Sequence, residues 1–226
     1  MCAWLDKYSF VSKFVAEQLN SRCSDKRQFI LDSNRRAEEF RNRTFPGWIF
    51  ELAFAFQLHE AAKLPAGHLV VHMGNCAHSW PVSQFLSYEN LEDINSLICG
   101  MRSGESLWLR PCRWNHPGFD FLMFELSEGK LRITAVNAVS GSTHVLKLVS
   151  LWKLATKLAA RQLLVSSICF YFLVDPAFAK DFQVSQVLGR LCEWDAPSGA
   201  KWPNVDNANI LIEKGCLCIA TLARTV

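Results

Sequence analysis

The sequence predicts an α+β fold in which a central mixed sheet is flanked by helices. Half of the 226 residues are hydrophobic and a fifth are charged, as in a globular chain that buries a real core. From Trp48 to Val174, stretches with helical spacing alternate with short β-type runs. The apolar run LLVSSICFYFLV, residues 163–174, is too short to cross a bilayer and is typical of a strand buried on both faces.

The N-terminal part of the chain is predicted to be helical. Its apolar residues recur at helical spacing, and Asp32-Ser33-Asn34 offers a cap for a second helix that ends at Phe40. A hairpin is predicted over Ala208–Leu222, with its turn at residues 213–215. The predicted organisation is a helical segment, a core domain and a C-terminal hairpin extension packed on the same domain, with the respective bounds 1–45, 46–195 and 196–226.

Pro46 and Pro65 bracket a predicted helix from Trp48 to Lys63, whose apolar residues are almost continuous. Glu51 lies in its first turn and is the only acidic residue before Glu60. Three short strands are predicted after this helix, at His68–Met73, Trp80–Phe85 and Leu107–Leu109.

A hairpin is the most informative part of the chain. Asp120 opens an apolar strand, a turn at residues 127–130 leads to a second strand at Leu131–Val139, and a Ser-Gly loop precedes a helix predicted from Thr143 to Ala160. Metal-dependent nucleases of the restriction-endonuclease, or PD-(D/E)xK, type carry an acid on one strand and an acid-x-Lys triplet on its hairpin partner. Here the triplet position is Ala135-Val136-Asn137. The pattern predicts the fold of such an enzyme without the acid and the lysine of its catalytic triplet.

Composition excludes several other classes. The net charge of +3 is too small to indicate nucleic acid by itself, and the chain has no glycine-rich phosphate loop, GxSxG, HExxH or paired CxxC motif. Its nine cysteines are scattered and odd in number, and no secretory signal is evident, so we expect reduced thiols and an intracellular protein. Cys216 and Cys218 alternate along a predicted strand, which favours core packing over metal ligation. No membrane association is predicted.

Five short blocks, in order, resemble the retrotransposon hot spot protein family, which is related to the crinkler effector modules. The blocks are GWIFE at 47–51, WPV at 80–82, WLRP at 108–111, the W-N-x-x-G-x-D stretch at 114–120, and the strand from Leu131 that ends in Thr143-His144. Together they cover roughly residues 45–195. The resemblance implies a restriction-endonuclease-like fold and a nuclear protein with a role at chromatin or nucleic acid. In longer chains this fold follows an NTPase module, but no Walker A sequence is present here.

The predicted site is the remnant of a magnesium centre at Glu51, Asp120 and Asn137. Mg²⁺ prefers oxygen ligands, neutralises developing charge and activates water, and Glu51 and Asp120 would be its ligands. Ala135 and Asn137 occupy the third-acid and lysine positions and bring no charge, so hydrolysis is not expected. The simpler interpretations are a helix-start carboxylate for Glu51 and a local turn contact for Asp120.

The flanking helix supplies the candidate nucleic-acid contacts. His144 is either a phosphate contact or a helix cap, and Lys147 and Lys153 on the same helix either touch backbone phosphates or are ordinary surface lysines. The predicted function is therefore a degenerate nuclease that still binds nucleic acid, DNA or RNA. One alternative is an active Mg²⁺-dependent nuclease that uses Glu51 and Asp120 together with a third carboxylate, Glu125 or Glu128. Two others are a protein-interaction module with no nucleic-acid role and a site centred on Asp206.

Overall fold

The computed structural model describes residues 22–40, 45–73, 76–112, 118–159, 163, 165–188 and 218–222. Within these residues the helices are α1 Lys26–Phe40, α2 Phe45–Ala61, α3 Leu91–Cys99 and α4 Leu148–Ala159. The strands are β1 His68–Met73, β2 Cys76–Pro81, β3 Gln84–Tyr88, β4 Ser106–Pro111, β5 Phe121–Ser127, β6 Lys130–Val139, β7 Thr143–Lys147, β8 Val165–Val174, β9 Gln183–Leu188 and β10 Cys218–Leu222.

The predicted α+β class, with a central mixed sheet flanked by helices, is confirmed. Eight strands form one sheet in the order β2-β1-β10-β8-β6-β5-β4-β3. Strand β8 runs parallel to both β6 and β10, and β3 runs parallel to β4, while the other neighbours are antiparallel. Strands β7 and β9 form a separate parallel pair. The large sheet carries the predicted hairpin, β5–β6, near its centre.

The sheet is strongly curled. Its two edge strands, β2 and β3, are joined by residues 82 and 83 alone. Because successive Cα atoms are about 3.8 Å apart, Pro81 and Gln84 lie within about 11 Å of each other. Side chains reinforce this approach, since Trp108 Nε1 of β4 donates to the Pro81 carbonyl at 2.9 Å. The first and last strands in the sheet order therefore meet at this point.

Helix α2 fills the inside of the curl. It is apolar on all sides, which is typical of a helix with no solvent-facing stripe. Phe54 is fully buried and makes edge-on ring contacts with Trp80, Trp108 and Phe121, which come from three different strands. Residues from β1, β2, β4, β5, β6 and β8 share one buried cluster with this helix. We call this side of the sheet the inner face.

Helices α3 and α4 cover the outer face. The β6–α4–β8 segment is a crossover between parallel strands, and α4 buries a stripe of leucines at helical spacing, as predicted. Along β6, Ile133, Ala135 and Val139 belong to this outer cluster, whereas Val136 belongs to the inner one. Strand alternation therefore assigns Asn137 to the outer face.

Two predicted elements in the middle of the chain are wrong. The single strand Trp80–Phe85 is interrupted at Val82 and Ser83, where the chain passes from one sheet edge to the other and Ser83 N–H donates to Ser106 Oγ at 2.9 Å. The helix predicted from Thr143 begins only at Leu148, because residues 143–147 form β7 and pair with β9. Of the two candidate lysines, Lys147 therefore lies on strand β7, and only Lys153 lies on helix α4.

The bounds of α1 and α2 and the position of the C-terminal strand also differ from prediction. Residues 32–34 do not cap a second helix, since α1 runs without interruption from Lys26 to Phe40. Helix α2 starts at Phe45, so Glu51 lies in its second turn rather than its first. The last strand of the predicted C-terminal hairpin, β10, is an internal member of the large sheet between β1 and β8. The rest of that hairpin, including Cys216, lies outside the described residues, and so does Asp206, which precedes it.

Candidate functional site

Asp120 and Asn137 meet where β5 begins and β6 ends. Phe121 pairs with Val136 in the ladder, which places Asp120 beside Asn137 one step further on. The Asp120 N–H donates to Asn137 Oδ1 at 3.1 Å and to the Val136 carbonyl at 3.0 Å. In return, Asp120 Oδ2 accepts a hydrogen bond from the Ala138 N–H at 2.9 Å. Side chain and main chain thus fix each residue against the other strand.

The residues just before Asp120 explain how its position is set. Gly118 has φ +107°, and a Cβ there would lie 2.4 Å from Ser150 Cβ and Oγ. Only glycine allows this backbone to approach the first turn of α4 so closely. Phe119 is then buried in the outer cluster. Contact with α4 at Gly118 and burial of Phe119 therefore hold the chain in place just before Asp120 enters the strand. This close approach is the physical reason for the glycine in the W-N-x-x-G-x-D block.

His144 completes a polar network on the outer face. Because Asn137 Oδ1 already accepts from Asp120, the Asn137 amide presents Nδ2 to His144 Nε2, 3.1 Å away. The imidazole also lies edge-on to Phe172 of β8, with ring centroids 5.5 Å apart. Burial lowers the pKa of His144 below its ordinary value, and the positive charge of Lys147 adds to the lowering. His144 is a half-buried neutral group between two sheets, and it is not a helix cap.

Glu51 lies elsewhere, on the inner face. Arg110 Nη2 donates to Glu51 Oε1 at 3.1 Å, and the two side chains are only 18% and 8% exposed. Arg110 follows the inner-facing Trp108 by two positions in β4, so alternation gives it the same face. The structure brings Asp120, Asn137 and His144 together, but it places Glu51 and Asn137 on opposite faces of the sheet. Glu51 is thus neither a solvated helix-start carboxylate nor part of the Asn137 network.

The surroundings of these residues do not suit Mg²⁺. Ala135, at the third-acid position, is fully buried among apolar side chains of the outer cluster, and Asn137 is only 4% exposed. Glu51 faces a guanidinium, which opposes a second cation at the same oxygen. Across the residues that the structure describes, no group of three or more His, Cys, Asp or Glu side chains could hold a metal ion.

Lys147 and Lys153 each lie beside an exposed apolar residue. Lys147 ends β7, and its ladder partner is Leu188 of β9, which is 39% exposed. Val149 is 42% exposed and lies four residues before Lys153 on α4, a spacing that makes them neighbours on one helix face. Both lysines are solvent-exposed or nearly so. We call these four residues the basic-apolar surface.

Sequence reasoning missed Arg110 as a partner of Glu51, although a signal existed. Arg110 is the one charged residue in an otherwise apolar strand, and Glu51 is the one acidic residue of α2 before its last turn. Buried charges are rarely left unpaired, so the two could have been matched. Cys99 and Cys112 are exposed and form no disulfide within the described residues.

Comparison with known proteins adds no relative: no family model, no curated protein and no solved structure matches this chain. Among the described residues, no helix is both long and apolar enough to span a membrane.

Proposed function

We propose that this chain is a retrotransposon hot spot-like protein with a restriction-endonuclease-like fold that binds nucleic acid without cleaving it. The observation that carries the proposal is the hairpin β5–β6. It sets an acid, Asp120, beside the third position of the strand triplet, Asn137, as in the nuclease pattern. The same hairpin carries a buried alanine, Ala135, at the third-acid position and the uncharged amide of Asn137 at the lysine position. The arrangement supports kinship with nucleases together with loss of hydrolysis.

The basic-apolar surface supports the binding part of the proposal. Two cations on neighbouring elements can contact successive phosphates, and phosphate contacts supply most of the affinity for nucleic acid independently of sequence. The surface flanks the Asp120 end of the sheet, because Gly118 packs against Ser150 of the same helix. By the same kinship, we propose a nuclear location and association with chromatin.

The first test is cleavage. Incubated with supercoiled plasmid and Mg²⁺ or Mn²⁺, the purified chain is expected to produce no nicking above the level of its Asp120→Asn variant. Asparagine keeps an oxygen that can accept from Ala138 N–H but removes the charge, so the variant should stay folded. Metal-dependent nicking that disappears in Asp120→Asn would contradict the proposal and favour the active Mg²⁺-dependent nuclease.

The second test is the salt dependence of binding. Binding to duplex DNA, single-stranded DNA and RNA oligonucleotides is expected to weaken steeply with ionic strength. In the double variant Lys147→Gln/Lys153→Gln, the slope of log K against log salt should fall by about 1.4–1.8, from roughly 0.7–0.9 per phosphate contact. The matched control, Lys26→Gln/Lys130→Gln, removes the same charge from exposed positions on other elements. Equal slopes in both double variants would reject this surface, and absence of binding at low salt would favour a protein partner.

A further inference from the structure

The small sheet β7–β9 is joined to the large sheet through one polar chain. Its order is the Asp120 N–H, the Asn137 amide and the His144 imidazole, with donor-acceptor distances of 3.1 Å at both links. On the other side of His144, its carbonyl accepts a hydrogen bond from Ser185 Oγ of β9 at 3.1 Å. Within the described residues, His144 therefore connects the two sheets: its side chain is hydrogen-bonded to Asn137 of β6, and its carbonyl to Ser185 of β9.

The orientation of the Asn137 amide dictates the proton state of His144. A backbone N–H can only donate, so the atom of Asn137 that faces Asp120 must be the oxygen. The NH₂ group then faces His144 Nε2, which must accept with a lone pair. The imidazole is consequently neutral with its proton on Nδ1. If Nε2 gained a proton, two donors would face each other, and rotating the amide would only move the conflict to Asp120.

We propose that Asn137 and His144 form a latch that fastens the β7–β9 sheet to the end of β6 while His144 is neutral and releases it on protonation. The groups that face His144 favour the neutral form. Lys147, on its own strand, repels a second positive charge, and the Asn137 amide, the Phe172 ring and Ser185 carry no charge.

Two acids are near enough to consider. Asp120 is linked to His144 through Asn137, and one of its oxygens is bonded to the Ala138 N–H. Asp181, beside Phe182, is exposed to solvent. Acidification is therefore expected to open the latch, because the open state binds the proton more tightly than the closed one. Lys147 would move with β7, so opening would also displace part of the basic-apolar surface.

Amide hydrogen exchange of the full chain tests the latch without any nucleic acid. Protection factors, corrected for intrinsic exchange, are measured for residues 143–147 and 183–188 between pH 7.5 and 5. As the pH falls below the pKa of His144 in the open state, which is the higher of the two, protection is expected to fall by up to about tenfold per pH unit, the limit for one proton, and to level off below its pKa in the closed state. Amides in β2, which is four strands away from β6 in the sheet order, should not change over the same range.

Two variants make the test specific. In His144→Gln, the side-chain oxygen can accept from Asn137 Nδ2 but does not titrate, so protection should be retained and independent of pH. In Asn137→Asp, the carboxylate accepts from both Asp120 and a protonated His144, so protection should rise as the pH falls toward 6. His78→Gln, a change at an exposed histidine of β2, is the control and should behave like the parent. Constant protection in the parent, or an unchanged pH response in His144→Gln, would overturn the proposal.

Discussion

Replacing Arg110 with methionine, or Glu51 with leucine, is expected to lower the free energy of unfolding by about 3–5 kcal/mol, because each change leaves one charge buried without its partner. The pair is largely shielded from water, with 3.1 Å between Arg110 Nη2 and Glu51 Oε1, and it joins helix α2 to strand β4. The double variant Glu51→Leu/Arg110→Met should recover much of the loss, since apolar residues of similar volume replace a buried ion pair at little cost. Urea denaturation of the four proteins gives the coupling energy.

The exposed pair Glu60–Lys63 provides the control. Its side chains are 47% and 56% exposed, so Glu60→Gln should cost less than about 1 kcal/mol. This cycle also separates two roles for Glu51. A magnesium ligand would leave the metal-free stability nearly unchanged when replaced by leucine and would abolish stabilisation by Mg²⁺. Strictly additive losses in the double variant, with no coupling, would contradict the ion-pair role.

Replacing Gly118 with alanine is expected to destabilise the fold through two separate effects. The positive φ of +107° strains any L side chain, at about 1–3 kcal/mol. The added methyl would also lie 2.4 Å from Ser150 Cβ and Oγ, which adds about 1–3 kcal/mol of overpacking. Thermal and urea unfolding report the sum, and the amide exchange of Asp120 and Ala138 reports whether the damage reaches the network.

Gly104→Ala is the matched control for Gly118→Ala. Gly104 has φ +86°, but a Cβ there would meet no heavy atom of the described residues within 4 Å, so it should show the backbone strain alone. Adding Ser150→Gly to Gly118→Ala removes the side chain that clashes and should restore stability to about that of Gly104→Ala. Equal losses in the two single variants would mean that contact with α4 does not hold this segment.

The predictions that succeeded were those in which local pattern and tertiary environment agree. Hairpin β5–β6 combines apolar strands with a Glu128-Gly129 turn in which both residues have positive φ, so turn chemistry and burial favour the same structure. The buried strand β8 is predicted from the apolar run at residues 163–174, which is too short to cross a bilayer. In each case the neighbours in space only reinforce what the neighbours in sequence prefer.

The errors come from contacts that no local pattern contains. The sequence predicts that the helix begins at Thr143, because helical spacing follows. Pairing of residues 143–147 with β9 overrides that preference. Trp80–Phe85 has one continuous β-type pattern, yet the closing of the sheet divides it between two edges. The arrangement of the candidate site depends on such contacts too. The nuclease pattern suggests that Glu51 and Asn137 converge, whereas the alternation of faces along β6 puts Asn137 on the outer face and Glu51 pairs with Arg110 on the inner face.

The position of β10 has a consequence for biosynthesis. This strand follows all the other described strands in chain order, yet it lies between β1 and β8 inside the large sheet. A ribosome must therefore release residues 218–222 before the two halves of the sheet can join. Until then β1 and β8 each present an open hydrogen-bonding edge, which is the kind of surface that chaperones protect and that nascent chains use to aggregate.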